Sequence, residues 1–315
     1  GPNADADRAL YSTILVPLLV RTAEDCGGFD WDDHAFDRAY LELEDALFGD
    51  GHGYAAVAPL VGISVGEQIE LGNGIRVRTA ATGELSAHWP EASALLPARF
   101  GREPDRLAIL ELVRSLGADG EAPDAPAEVA DVVTALRLAT AAPVAVGPVV
   151  FERLDWRPYG IRPALPIAAT RPPGEPTRLD RFRGGVAAEL LPRLGTVEED
   201  PDLAEALDRW ELSLFQGEPF RSEQLRTALA SATGCGDGGW AAALRAAILL
   251  TDAPEERLPL LEELRAAEST QALDTVRRLL VELLLHGDRR ALLAEVDEIL
   301  LGLRGRRETV HARAS

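Results

Sequence analysis

Lysine and methionine are absent from this chain, so all 32 of its basic residues are arginine. Without lysine there is no phosphate-loop ammonium, no Schiff-base amine for a pyridoxal cofactor and no kinase-type ion pair. Cysteine is nearly absent too: Cys26 and Cys235 lie far apart, and neither sits in a Cys-x-x-Cys motif. Two such thiols in 315 residues make no disulfide framework, which points to a reducing, cytoplasmic compartment. No uncharged apolar run approaches the roughly 20 residues of a membrane-spanning helix. No secretory leader is recognised, and Gly1-Pro2 reads as the remnant of a cleaved tag. A His-Glu-x-x-His helix, an EF-hand loop and a Gly-x-Ser-x-Gly elbow are all missing, so neither metal nor other cofactor is expected.

Positive charge is also scarce. The formal net charge is −20, and residues 1–50 alone hold twelve Asp and Glu against Arg8, Arg21 and Arg38. Such a surface repels phosphate backbones and disfavours RNA or DNA as a partner.

What is present is a globular composition, 46% hydrophobic and 27% charged. Residues 8–24 read as a helix interrupted at Pro17. Asp32 and Asp33 offer N-caps to an amphipathic helix with Phe36, Tyr40, Leu43 and Leu47 at helical spacing. From Tyr54 the period becomes β-like through Ile63 and Val65. Residues 68–78 then predict a hairpin turning at Asn73-Gly74. Helical stretches are expected around 83–96, 104–116 and 127–140, strands from Val144 to about Asp155 and from Ala164 to Thr170. The two prolines and glycine of residues 171–176 mark a boundary, after which every segment reads as helix. Asp200-Pro201 opens one helix, with Leu203, Leu207, Trp210 and Leu214 on its apolar side. The expected fold is α+β: a mixed α/β domain with a small antiparallel sheet over 3–175, and an all-α bundle over 176–315.

Several constellations invite chemistry. Asp30, Asp32, Asp33, His34 and Asp37 crowd a helix start, where the macrodipole itself favours carboxylates. The glycine clusters 49–53 and 234–239 lack the strand–loop–helix context of a phosphate cradle and read as caps. His286 before Gly287 reads as a C-terminal capping cation. Between Arg153 and Arg183 seven arginines are interleaved with Trp156, Tyr159 and Phe182. Arg153, Arg157, Tyr159, Arg181 and Arg183 are the candidate binding residues there, for an acidic surface or a single strand. Internal pairing with the acidic front of the chain is the competing reading. Finally, Arg304, Arg306 and His311 bring a phosphate-holding cation and a proton-moving imidazole into one short segment, the minimum for metal-independent RNA cleavage. A frayed tail is the competing reading there.

The helical half resembles the HEPN superfamily, especially bacterial abortive-infection proteins that join a mixed N-terminal domain to a helical HEPN domain. The residues that carry the likeness are Trp240-Ala-Ala-Ala-Leu-Arg-Ala-Ala-Ile-Leu-Leu250, Asp252-Ala-Pro-Glu-Glu-Arg257, Val276-Arg-Arg-Leu-Leu280 and Glu295-Val-Asp-Glu-Ile-Leu300. The front-half phrases Ala58-Pro-Leu-Val-Gly62 and Leu71-Gly-Asn-Gly-Ile-Arg76 add to it. The family's catalytic signature is an arginine, four to six intervening residues and then a histidine. It is expected near Arg265, where this chain reads Arg265-Ala-Ala-Glu-Ser-Thr-Gln271 without a histidine. Arg304 or Arg306 with His311 has the spacing, displaced to the end of the chain. The resemblance therefore implies a catalytically degenerate interaction or sensor protein of bacterial antiphage defence. The alternative it implies is a metal-independent endoribonuclease. The leucine-rich stretch from Leu279 to Leu285 suggests a protein partner or self-association through the helical half.

Overall fold

The structure, a computed structural model, describes residues 10–26, 30–48, 51–80, 84–85, 89, 91–95, 108–117, 120–155, 157–166, 175–195, 197–236, 239–266 and 270–303. The first described element is a π-helical turn, Tyr11–Leu15, that runs into α1, Val16–Asp25. Helix α2, Asp33–Phe48, packs back on it through a small cluster of Leu18, Ala39 and Leu43, with Ile14 and Phe36 alongside. The buried stripe of α2 therefore runs through alanine. Tyr40, expected inside, is 47% exposed.

Next come β1 (Gly51–Val61), β2 (Ile63–Val65), β3 (Ile69–Gly72) and β4 (Ile75–Thr79). The β3–β4 hairpin turns at Asn73-Gly74 as expected, with φ of 48° and 64° placing both residues in the left-handed region. Two consecutive left-handed residues make the type I′ turn whose twist matches a two-residue hairpin. Short α3, Ala92–Leu95, is followed by β5, Ala108–Gly117. Here the sequence reading is corrected, since 104–116 was expected to be helical. Residues 108 to 112 are buried on both faces, with Ala108, Leu110 and Leu112 in one core cluster and Ile109 in another, so the run shows no alternation to identify it.

Helix α4, Ala125–Thr140, leads to β6 (Ala145–Val146), β7 (Val149–Leu154) and β8 (Arg157–Pro163). The β7–β8 hairpin, unforeseen, turns through Asp155 at φ 55°. Of the strand expected over 164–170, residues 164–166 join no strand and the rest lie outside the described residues. The sheet order is β3-β4-β5-β1-β7-β8, with β6 also on β1 and every pair antiparallel. A separate parallel pair joins β2 to β9, Thr177–Leu179, a strand in the part that read wholly as helix.

From there the described chain is helical: α5 (Arg181–Leu194), α6 (Pro201–Ser213), α7 (Phe220–Thr233), α8 (Trp240–Leu250), α9 (Pro254–Ala266), α10 (Thr270–His286) and α11 (Arg289–Leu300), with a 3-10 turn at Val197–Glu199. Asp200 caps α6 by accepting from Leu203 N at 3.3 Å, and Leu203, Leu207, Trp210 and Leu214 are all buried as expected. The architecture is α+β, with an antiparallel sheet and helices first and a helical run after. One continuous apolar core takes Tyr54 and Leu112 from the sheet, Leu136 from α4, and Trp210, Leu229 and Leu280 from later helices. A second cluster, with Val57, Trp89, Ile109 and Phe151, covers part of the sheet's other face. Leu279, Leu280, Leu283 and Leu284 are buried within the chain, so this leucine face is used up internally.

Candidate functional site

The arginine-rich stretch does not form one patch. Arg181 donates to Glu67 through Nε and Nη2, both at 2.7 Å, and Arg183 donates to the Arg178 carbonyl at 2.7 Å. Both lie at the start of α5, which packs on β3 through Gly184 against Ile69. Arg157 and Tyr159 are on β8, at the opposite edge of the sheet. Five strand spacings separate the two edges, about 24 Å at ~4.8 Å each. Tyr159 is exposed and stands edge-on to Tyr54 with centroids 6.4 Å apart. The five candidate binding residues thus divide between the two edges, with Arg153 on β7 beside β8.

On the sheet face that carries the main core, β1, β7 and β8 build a polar cluster. Tyr54 donates its hydroxyl to Glu152, and Arg162 donates to the same carboxylate from Nε at 2.9 Å and Nη2 at 2.8 Å. Arg162 also reaches Asp124 Oδ1 at 3.2 Å and the Pro123 carbonyl at 3.0 Å, tying the sheet to the start of α4. Burial first, and then the Glu152 carboxylate, push the Tyr54 hydroxyl well above its ordinary range, so it stays protonated. Gly160 leaves room for this arrangement, since a Cβ there would come 3.1 Å from Glu152 Oε2. A cluster with both carboxylate oxygens bonded acts as a clamp between strands. At its end His52 Nδ1 lies 3.1 Å from Asp155 Oδ2, while Asp155 Oδ1 accepts from Gly53 N at 2.7 Å. An imidazole oriented by a carboxylate is half of a proton-transfer pair. Among the described residues, however, no serine, threonine or cysteine is hydrogen-bonded to His52.

The opposite face holds a second charged group. Glu111 on β5, 3% exposed, stands opposite Arg76 on β4 and accepts from Arg76 Nε at 2.7 Å and Arg78 Nε at 2.9 Å. Burial pushes its carboxyl up, but the two guanidiniums outweigh burial and hold it below the usual range. Arg78 is also paired with Glu84, and Arg21 on α1 lies 3.4 Å from Glu42 on α2. Arg153 differs from these. It stands opposite Ala55 on β1, and its Nη2 is 3.9 Å from Glu111 Oε1, too far for a hydrogen bond. Its Nε is buried and has no hydrogen-bond partner among the described residues. Burial is the chief reason its pKa falls below that of an ordinary arginine.

In the helical half, α9 ends at Ala266 beside Arg265, and residues 267–269 lie outside the described residues. So do Arg304, Arg306 and His311. An open cleft of about 390 Å³ lies along α7, lined by Arg226, Thr227, Ser231 and Cys235 among others. The Cys235 sulfur is 3.5 Å from Arg245 Nη1, and that guanidinium is itself held by Asp297 at 2.7 and 2.9 Å. Among the described residues no cluster of three or more His, Cys, Asp or Glu could hold a metal ion. At the acidic helix start, Asp32 accepts from His34 N, a capping contact, and Asp33 accepts from Trp31 Nε1. Among the described residues no helix is long and apolar enough to cross a membrane.

Sequence reasoning missed Glu111, because the run around it read as a helix. It also missed the Glu152–Arg162 pair, because β8 was not foreseen. The only signal for the second was alternation of charge with apolar residues at Arg153 and Arg162, too short to stand out. Comparison of the chain with family models, curated proteins and solved structures finds no match.

Proposed function

We propose that this chain is a non-catalytic interaction protein. Its docking surface is the exposed side of the π-turn, α1 and α2, and its partner is a protein segment that is basic and apolar in alternation. One observation carries the reading. Of nineteen large apolar side chains exposed among the described residues, eight fall within residues 10–41, including Leu15, Leu19, Trp31, Tyr40 and Leu41. Single exposed leucines are ordinary, but a concentration of large apolar side chains along the π-turn, α1, α2 and the link between them marks a contact surface. The same helices, residues 10–48, carry nine Asp and Glu against Arg21 and Arg38. That charge favours a cationic partner and repels nucleic acid.

The helical half, on this reading, is a degenerate HEPN-like bundle that supports the docking domain, in the setting of bacterial antiphage defence. The sequence around Arg265, which lacks the signature histidine, supports that part. A chelator-treated RNA assay of the parent beside His311→Ala is expected to show no cleavage above background. Cleavage abolished by the substitution would establish the ribonuclease reading instead.

The docking test uses an amphipathic leucine–arginine helical peptide as probe, followed by anisotropy. Binding with a dissociation constant of about 1 to 100 μM is expected, weakening as salt rises. Leu19→Asp and Leu41→Asp, at exposed positions, are expected to weaken it about tenfold each without changing Tm. Equal binding of a leucine–glutamate peptide would sink the proposal. So would a second copy of this chain occupying the same face.

A further inference from the structure

Three aromatic rings stand in a row on the acidic helix pair. Trp31 lies ahead of α2, Phe36 at the end of its first turn and Tyr40 one turn further on. The Trp31 and Phe36 ring centroids are 5.3 Å apart, and those of Phe36 and Tyr40 are 6.2 Å apart with 27° between their planes. The first contact by itself is the hydrophobic staple that closes over a helix start, with Asp32 as the N-cap. A staple needs only two residues. Here the row continues to Tyr40, and Trp31 and Tyr40 stay 58% and 47% exposed. We propose that this row is an arginine-recognition subsite, where a guanidinium of a protein partner lies against the Trp31 and Tyr40 rings and donates to the adjoining carboxylates. The inference rests on the docking surface proposed above and names the side chain which that surface selects.

Helical spacing supplies the carboxylates. Ala35, Ala39 and Leu43 are buried and set the inner side of α2. At roughly 100° per residue, Asp33, Asp37 and Glu44 fall within about 60° of Tyr40, on its solvent side. All three are exposed. Arg38, the one arginine of α2, lies about 160° around the helix from Tyr40. Trp31 Nε1 donates to Asp33 Oδ1 at 2.8 Å, which holds the indole beside one of these carboxylates. The rings and the acidic stripe together select the occupant. A ring face attracts a cation, and a planar guanidinium stacks on it while its edge N–H groups donate to a carboxylate. A lysine ammonium is compact and strongly hydrated, so it gains less from a flat ring. A nucleic-acid base can stack on the same rings, but its phosphates would meet the carboxylates.

The test compares two amphipathic helical peptides that differ only in the cation, leucine–arginine and leucine–lysine. Each is titrated with the full chain at constant ionic strength and followed by anisotropy. The parent is expected to bind the arginine peptide about fivefold more tightly. Trp31→Leu and Tyr40→Leu keep an apolar side chain at each position, so the docking surface survives while the rings are lost. Each is expected to shrink the preference for arginine. The double variant should bind both peptides equally, with its affinity for the lysine peptide unchanged from the parent. Equal binding of the two peptides by the parent, or a preference that persists in the double variant, would overturn the arginine subsite and leave the docking surface standing. Binding of neither peptide would overturn both. If Trp31→Leu loosens the helix start, seen as a lowered Tm, Tyr40→Leu decides alone, since Tyr40 lies outside the staple.

Discussion

Arg137 and Glu211 are the most deeply buried ion pair described, at 0% and 3% side-chain exposure and 3.0 Å apart. Burial pushes the Glu211 carboxyl above its usual range, against the pull of Arg137. Thr134 donates to the same carboxylate at 2.6 Å, Arg137 Nε donates to the Val144 carbonyl at 2.7 Å, and the guanidinium lies 4.9 Å from the Phe215 ring. Removing one partner strands the other charge. Arg137→Ala is expected to cost about 3 to 5 kcal/mol in denaturant unfolding. The pair replacement Arg137→Met with Glu211→Leu should recover most of that loss, and failure to recover any would contradict the account. Asp200 offers a pH-dependent case. Its carboxylate receives Arg289 Nε at 2.7 Å and Nη2 at 2.9 Å, and these bonds hold its pKa below the ordinary 3.8. A depressed carboxyl stabilises the fold at pH values above its unfolded pKa and loses that contribution as pH falls through the folded one. Stability should therefore decline below about pH 4, and Asp200→Asn should flatten part of that decline. At neutral pH the substitution should cost about 1 to 2 kcal/mol. An unchanged acid limb in Asp200→Asn would refute the assignment.

Elements meet closely at Gly74 and at Gly184. Gly74 has φ of 64° at the tip of the β3–β4 hairpin, and a Cβ there would lie 2.3 Å from the Val113 carbonyl oxygen. Gly74→Ala therefore meets both a left-handed penalty and a backbone clash. A loss of about 1 to 3 kcal/mol is expected, read as a lowered denaturant midpoint. Gly184 is different, since its backbone is unstrained but a Cβ would sit 2.3 Å from Ile69 Cγ2. Gly184→Ala is expected to cost about 1 to 3 kcal/mol through overpacking, and Ile69→Ala in the same chain, which removes Cγ2, should cost less than the same change in the parent. Additive losses in the double variant would show that helix α5 does not press on β3 at this point. The Asn73-Gly74 hairpin was legible because a two-residue turn carries its own chemistry. Strand β5 was not, because a centrally placed strand with Ile109, Leu110 and Leu112 close together has the same apolar density as a short buried helix.

At the scale of the whole molecule, the core crosses the sequence boundary near residue 176. Tyr54 and Leu136 from the front belong to the same cluster as Trp210 and Leu280 from the back. Polar ties run the same way: Arg277 Nη1 donates to the Leu138 carbonyl at 2.8 Å, and Arg137 meets Glu211. Heat unfolding of the sheet part and the helical part is therefore expected in one transition, with calorimetric and van't Hoff enthalpies equal. Two resolved transitions would show that the proline-rich boundary separates independent units. Outside that core the α1–α2 pair has its own small cluster, and it combines exposed leucine and aromatic side chains with a strong negative charge.

The sequence alone determined the features that local chemistry decides. These include the α+β class, the Asn73-Gly74 turn, the Asp200 cap and the apolar side of α6. It also determined the absence of lysine chemistry and the negative charge that argues against nucleic acid. Tertiary structure decided where a residue's partner comes from elsewhere in the chain. Composition could count seven arginines between Arg153 and Arg183. Only the strand register could pair Arg162 with Glu152 and Arg181 with Glu67 while leaving Arg153 Nε without a hydrogen bond among the described residues. The physical reason is range: turns and caps are satisfied within a few residues, whereas a buried charge is balanced by whichever strand or helix the fold brings beside it.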